Sequence, residues 1–126
     1  MILNVKKTGL ILISGSMKFK QEMIDLSDKL KSGGYKKVIE PSDEIYINSM
    51  VVLDKAKNHA IFENLVEEAD LLIVYNKNGY IGISTAMEIQ KAMDSKVPVR
   101  LLCEPEAIEF KALCLHPNYD IKVEKF

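Results

Sequence analysis

The chain has two cysteines among 126 residues, no long apolar run and no excess of either charge, and each shortage excludes something. Cys103 and Cys114 lack metal-ligand spacing. A domain of this length buries about two thirds of the surface its unfolded chain exposes, so no disulfide is needed, and two reduced thiols in a cytoplasmic protein are expected. The longest apolar run near the start, residues 9–13, falls far short of the ~20 residues of a membrane span. No small-residue cleavage site follows a basic start, so no secretory signal is expected either. Seventeen Lys and Arg against eighteen Asp and Glu leave a net charge of −1, which gives no general field toward nucleic acid or an anionic membrane. No acidic cluster follows the first expected strand, which argues against a phosphoacceptor domain of the receiver type. Internal repeats, low-complexity tracts and linkers are also lacking, and the length suits one domain, residues 1–126.

What is present is an alternation of buried strands and amphipathic helices. Leu10-Ile11-Leu12-Ile13, ending at Ser14-Gly15-Ser16, is too short for a helix and reads as a buried strand. Phe19, Met23, Leu26 and Leu30 then mark one face of a helix that Gly33-Gly34 stops. Val38-Ile39 before Pro41 gives a second strand, and residues 42–48 carry turn residues with no period. A long helix is expected from about Ser49 to Ala69 through Val52, Ala56, His59, Phe62 and Val66. Residues 71–75 form the third strand, 76–82 a loop, 85–94 a helix, 97–103 the fourth strand, 105–113 a short helix and 121–123 a last weak strand. Strands apolar throughout and separated by helices imply a parallel sheet covered on both faces. The expected fold is therefore a three-layer α/β domain, Rossmann-like in the flavodoxin sense. Its mainly parallel five-stranded sheet would run in the order 2-1-3-4-5.

Ligands of such sheets bind beyond the carboxyl ends of the strands, where the strand order reverses. Two loops qualify. Ser14-Gly15-Ser16-Met17-Lys18 combines a glycine, hydroxyls, a lysine and a helix N-terminus, which suits a phosphate. It is neither a P-loop nor a complete dinucleotide fingerprint, and Ser16 can equally be a simple helix cap. The second loop, 76–85, leads into Ser84-Thr85-Ala86-Met87-Glu88. Thr85 and Glu88 stand at capping-box spacing, so a structural account exists. The same spacing puts a carboxylate beside the phosphate loop, where it can attack a sugar carbon.

These stretches resemble a known family. Ile11 to Lys18 (ILISGSMK), Glu67 to Val74 (EEADLLIV) and Gly82 to Ile89 (GISTAMEI) resemble, in order and spacing, the nucleoside 2-deoxyribosyltransferase superfamily, which includes the deoxynucleoside 5′-monophosphate N-glycosidases. The resemblance covers roughly residues 8–102. It implies that Glu88 attacks the anomeric carbon of a deoxynucleotide and that the covalent sugar passes to water or another base. Gly15, Ser16 and Lys18, with Met17 between them, match the residues around the 5′-phosphate, and Ser84 and Thr85 would orient the sugar or the glutamate. Small-molecule nucleotides, no metal or cofactor, and a homodimer or higher homo-oligomer are also implied. The chain departs from the family at Gly82, where an aspartate or serine is usual, at Ser84, where a glycine is usual, and at Phe62, where a polar residue helps protonate the leaving base. Phe62 and Gly82 favour the alternative of a non-catalytic nucleotide-binding or sensing module.

Three further residues have two readings each. His59, one turn before Phe62, is a substitute proton donor or a structural histidine. Asn76 is a site residue or an Asx turn, and Tyr80 stacks on a base or covers the loop. Asp70 is read as ordering the helix-to-strand turn, His116 as part of a turn with Pro117 and Asn118, and the methionines as core filler.

Overall fold

A computed structural model of the chain describes residues 3–42, 46–47, 50–51 and 55–126, with side chains described for 3–42 and 61–126. The elements run β1 (Leu10–Gly15), α1 (Lys20–Ser32), β2 (Lys37–Ile39), β3 (Tyr46–Ile47), β4 (Met50–Val51), α2 (Lys55–Val66), β5 (Leu71–Tyr75), α3 (Ile83–Asp94), β6 (Val99–Leu101), α4 (Ile108–Leu115) and β7 (Ile121–Val123). Five strands form an all-parallel sheet in the order β2-β1-β5-β6-β7, and β3 and β4 pair separately. The expected order is therefore found, and the fold is α/β and Rossmann-like.

The alternation of side chains along a strand explains why the strands are apolar throughout. Ile11, Ile13, Leu71 and Ile73 face α1, where they meet Met23, Leu26 and Leu30. Leu12, Leu72 and Val74 face the opposite way, toward Phe62 and Val66 of α2 and Ile89 and Ala92 of α3, with Phe110 and Leu113 of α4 packed alongside. The sheet is thus the middle of three layers. α1 stops at the expected glycine pair. Gly34 N–H donates to Lys31 O at 3.0 Å and Tyr35 N–H to Leu30 O at 3.2 Å, the paired bonds of a Schellman motif. Asp70 orders its turn as expected, since its carboxylate accepts from Leu10 N–H at 2.7 Å and its own N–H donates to Leu10 O at 2.8 Å.

Two expectations are corrected. The helix expected from residue 49 begins at Lys55, because Met50–Val51 pairs with Tyr46–Ile47 as an antiparallel ribbon. Two-residue strands carry too little sequence to show a period of two, so the pattern of the following helix was extended over them. α3 begins at Ile83, two residues earlier than expected. Its N-cap is Gly82, which has no side chain to announce it.

Candidate functional site

β1 and β5 lie side by side in register, with Gly15 opposite Tyr75. From β1 the chain turns outward to β2, and from β5 it turns the other way to β6. The strand order reverses between them, so the two loops singled out by sequence leave the sheet from adjacent points. The first loop starts with a close approach. A Cβ added to Gly15 would lie 2.8 Å from Tyr75 O and 3.1 Å from Met23 Sδ, so only glycine fits between the strand ends. Ser16 then caps a single 3-10 turn, Met17–Phe19, its Oγ accepting from Lys18 N–H at 3.3 Å. The capping role expected of Ser16 is what its hydroxyl performs.

The loop after β5 is stitched to the loop after β6. Asn76 is 1% exposed, and its side-chain amide donates to Cys103 O and accepts from Cys103 N–H, both at 2.9 Å. It makes no cap to its own turn, so the Asx turn is not formed. The carboxamide instead ties the ends of β5 and β6 together. Gly79 has φ +83°, and a Cβ on it would lie 2.7 Å from Glu104 O. Its N–H bonds Asn76 O at 2.8 Å while its carbonyl accepts from Glu106 N–H at 2.9 Å. This part of the sheet edge is therefore a firm double loop.

Aromatic rings and lysines join the two loops. Lys18 Nζ lies 5.0 Å from the centroid of the Tyr80 ring, and Lys77 Nζ lies 6.0 Å from that of Phe19. Phe19 and Tyr75 are themselves in tilted contact at 5.8 Å. Burial, and next the charge of Glu22, hold the Tyr75 phenol above its ordinary value. Tyr80 also rests on Gly82, whose added Cβ would meet the ring at ordinary contact distances of 3.5–3.8 Å. Met17, Tyr80, Ile83 and Met87 are exposed.

Glu88 stands on α3. Because α3 begins at Ile83, Thr85 is its third residue and Glu88 its sixth, and the first turn contains no acidic residue. The capping box is not formed. Thr85, Glu88, Ile89 and Ala92 instead make the inward stripe of the helix, spaced as one face of a 3.6-residue repeat. Glu88 is 6% exposed and Ser14, at the carboxyl end of β1, is 1% exposed. Ser14 Oγ–H donates to Glu88 Oε2 at 2.5 Å, the length of a charge-assisted bond. Ser84, on the outer side of the helix, is exposed, whereas Thr85 is buried.

The structure thus brings Gly15, Ser16, Met17, Lys18, Tyr80, Gly82, Thr85 and Glu88 to one sheet edge. Asn76 ties the strand ends, and Ser84 faces solvent. Phe62 is 6% exposed within the core below. His59 lies on α2, and its side chain falls outside the described residues. Sequence reasoning places Ser14 in the candidate phosphate loop but gives it no role at Glu88, although positions 12 and 14 share a strand face and a polar residue follows an apolar one there. Among the described residues no helix is long and apolar enough to cross a membrane.

No family model matches the chain, and no curated protein does. Among solved structures, a conserved protein from Enterococcus faecalis V583 is similar. It aligns at a TM-score of 0.53 with 16% identity, covering 94% of this chain and 92% of its own. The class defined is an α/β domain of Rossmann-like fold, and the likeness extends to the fold alone.

Proposed function

We propose that this protein binds a (deoxy)nucleoside 5′-monophosphate at the carboxyl edge of its sheet and cleaves or exchanges the N-glycosidic bond, with Glu88 as nucleophile. The single observation carrying this reading is the buried Ser14–Glu88 pair, a carboxylate withdrawn from helix capping and held beside the Gly15-Ser16-Lys18 loop. The resemblance to the nucleoside 2-deoxyribosyltransferase superfamily supports the same assignment. In the first step a Glu88 oxygen bonds to C1′ while the C1′–N bond breaks, its electron pair leaving on the base, which takes up a proton. In the second step water or another base displaces Glu88, as in retaining glycosidases. Lys18 and the backbone at Gly15 and Ser16 receive the phosphate, Tyr80 stacks on the base, and Thr85 supports the sugar side. The exposed side chains of Met17, Tyr80, Ile83 and Met87 suit a second copy of the chain closing over the sheet edge, so a homodimer or larger assembly in the cytoplasm belongs to this reading.

A second reading keeps the pocket without the chemistry, and Phe62 favours it. Its side chain belongs to the core and supplies no proton to a leaving base, help worth about 10² to 10⁴ in rate. The deciding experiment incubates the protein with a panel of nucleosides and deoxynucleoside monophosphates and measures released base. Release by wild type and its loss in Glu88→Ala support the enzyme. An inactive wild type whose melting temperature still rises with nucleotide supports the binding module, and release that survives Glu88→Ala refutes the nucleophile.

A further inference from the structure

We infer that Ser14 is the positioning residue of the candidate nucleophile, fixing the Glu88 carboxylate for attack; the inference rests on the reading of Glu88 given above. Ser14 and Glu88 are 74 positions apart in sequence, and each is nearly closed to solvent. Their meeting is dictated by the fold. Ser14 is the penultimate residue of β1, opposite Val74 of β5 in a central strand pair. Its backbone is held by the ladder, and its side chain shares the α3-facing side of the strand with Leu12, which packs in the core that includes Val74 and Ile89. The hydroxyl therefore has very little freedom.

Glu88 is different. It reaches the sheet edge from the second turn of α3 on a side chain with three rotatable bonds, and a carboxylate so mounted has many orientations available to it. A bond of 2.5 Å to a rigid hydroxyl restricts them. A serine hydroxyl has one proton to donate, and here that proton goes to Glu88 Oε2. An oriented carboxylate is what attack on C1′ requires. Displacing a catalytic group by about 1 Å can cost about 10²-fold in rate, which sets the expected size of the effect.

The test compares wild type with Ser14→Ala, Ser14→Thr and Glu88→Ala in steady-state base release, using whichever panel nucleotide wild type cleaves. Circular dichroism establishes that each variant is folded. Ser14→Ala should lower kcat by about 10- to 100-fold and leave KM within about twofold, because the missing bond orients the nucleophile and touches no substrate. Ser14→Thr keeps the hydroxyl and suits a strand, and should recover most of the lost kcat. A purely structural role predicts neither the kcat-only loss nor the rescue. Wild-type kcat in folded Ser14→Ala overturns this inference and leaves the reading of Glu88 standing. Equal loss in Ser14→Ala and Ser14→Thr also overturns it, by pointing to packing. Should Ser14→Ala not fold, Ser14→Thr decides alone, and a large kcat loss in it counts against the inference. No base release by wild type overturns the reading itself and this inference with it.

Discussion

Asn76 gives the sharpest test of how the sheet edge is built, because its carboxamide both donates to and accepts from the backbone of one residue, Cys103. Asn76→Ala removes both partners at once. An unsatisfied backbone group costs about 1–3 kcal/mol. Cys103 is only partly buried, so water recovers some of this, and about 2–4 kcal/mol for the pair is a reasonable expectation. At roughly 3–6 °C per kcal/mol for a domain of this size, the melting temperature should fall by about 6–24 °C. Asn76→Asp is the more telling variant. It retains an acceptor for Cys103 N–H but turns the donor facing Cys103 O into a second acceptor. At pH 7 it should therefore be no more stable than Asn76→Ala. Near pH 4, where the carboxyl gains a proton it can donate, the deficit relative to wild type should shrink. Thermal melts followed by circular dichroism at both pH values decide this. A melting temperature for Asn76→Ala within about 2 °C of wild type, or Asn76→Asp clearly more stable than Asn76→Ala at pH 7, would refute the clamp.

Other perturbations have equally definite outcomes. Gly79→Ala should destabilise the protein by at least about 1 kcal/mol in denaturant melts, since the left-handed backbone disfavours a side chain and Glu104 O stands 2.7 Å from the new Cβ. Phe62→Ala should cost about 3–5 kcal/mol in the same assay as a core deletion, without a selective effect on nucleotide binding. Burial holds both the Tyr75 phenol and the Cys114 thiol above their ordinary values. Their contribution to stability is therefore complete below the unfolded values and lost as the pH rises through the folded ones. The fall in melting temperature from pH 8 to pH 10.5 should be smaller in Tyr75→Phe than in wild type, and an unchanged fall would refute the assignment. Finally, the double variant Ser14→Ala/Glu88→Leu should melt at or above the wild-type temperature while releasing no base.

The main sheet was legible in the sequence because each central strand is buried on both faces, which leaves runs such as Ile11-Leu12-Ile13 and Leu71-Leu72-Ile73-Val74 with no polar interruption. A run buried on both faces, followed by a helical period, has few topologies open to it. The ribbon of Tyr46–Ile47 and Met50–Val51 was not legible, since two residues define no alternation. The start of α3 was missed by two residues for a local reason, the glycine N-cap, and that small error had a large effect. It put Thr85 and Glu88 at capping positions, where the helix in fact carries them on its inward face. The buried stripe Thr85, Glu88, Ile89, Ala92 could have been found by asking which helical phase puts Ile89 and Ala92 inside. The Asn76–Cys103 clamp spans 27 positions and two strands, and nothing local announces it.

Glu88 and Ser14 run against the logic that makes the rest of the core legible, and that conflict bears most directly on function. The neighbours of Glu88 on its stripe, Ile89 and Ala92, are fully buried, and a leucine at position 88 would continue their pattern. Burying an ionised carboxylate costs several kcal/mol before its hydrogen bonds are counted, and replacing a buried polar pair by apolar side chains of similar volume is often neutral or stabilising. Breaking such a pair from one side is destabilising. Ser14→Ala alone should therefore melt below wild type, while the double variant Ser14→Ala/Glu88→Leu recovers the difference or exceeds it. A double variant melting well below Ser14→Ala would mean that the pair is a structural staple. A double variant at or above wild type would mean that stability gives no reason for a serine and a glutamate to meet at the carboxyl edge of the sheet, leaving the chemistry available to an oriented carboxylate as the reason.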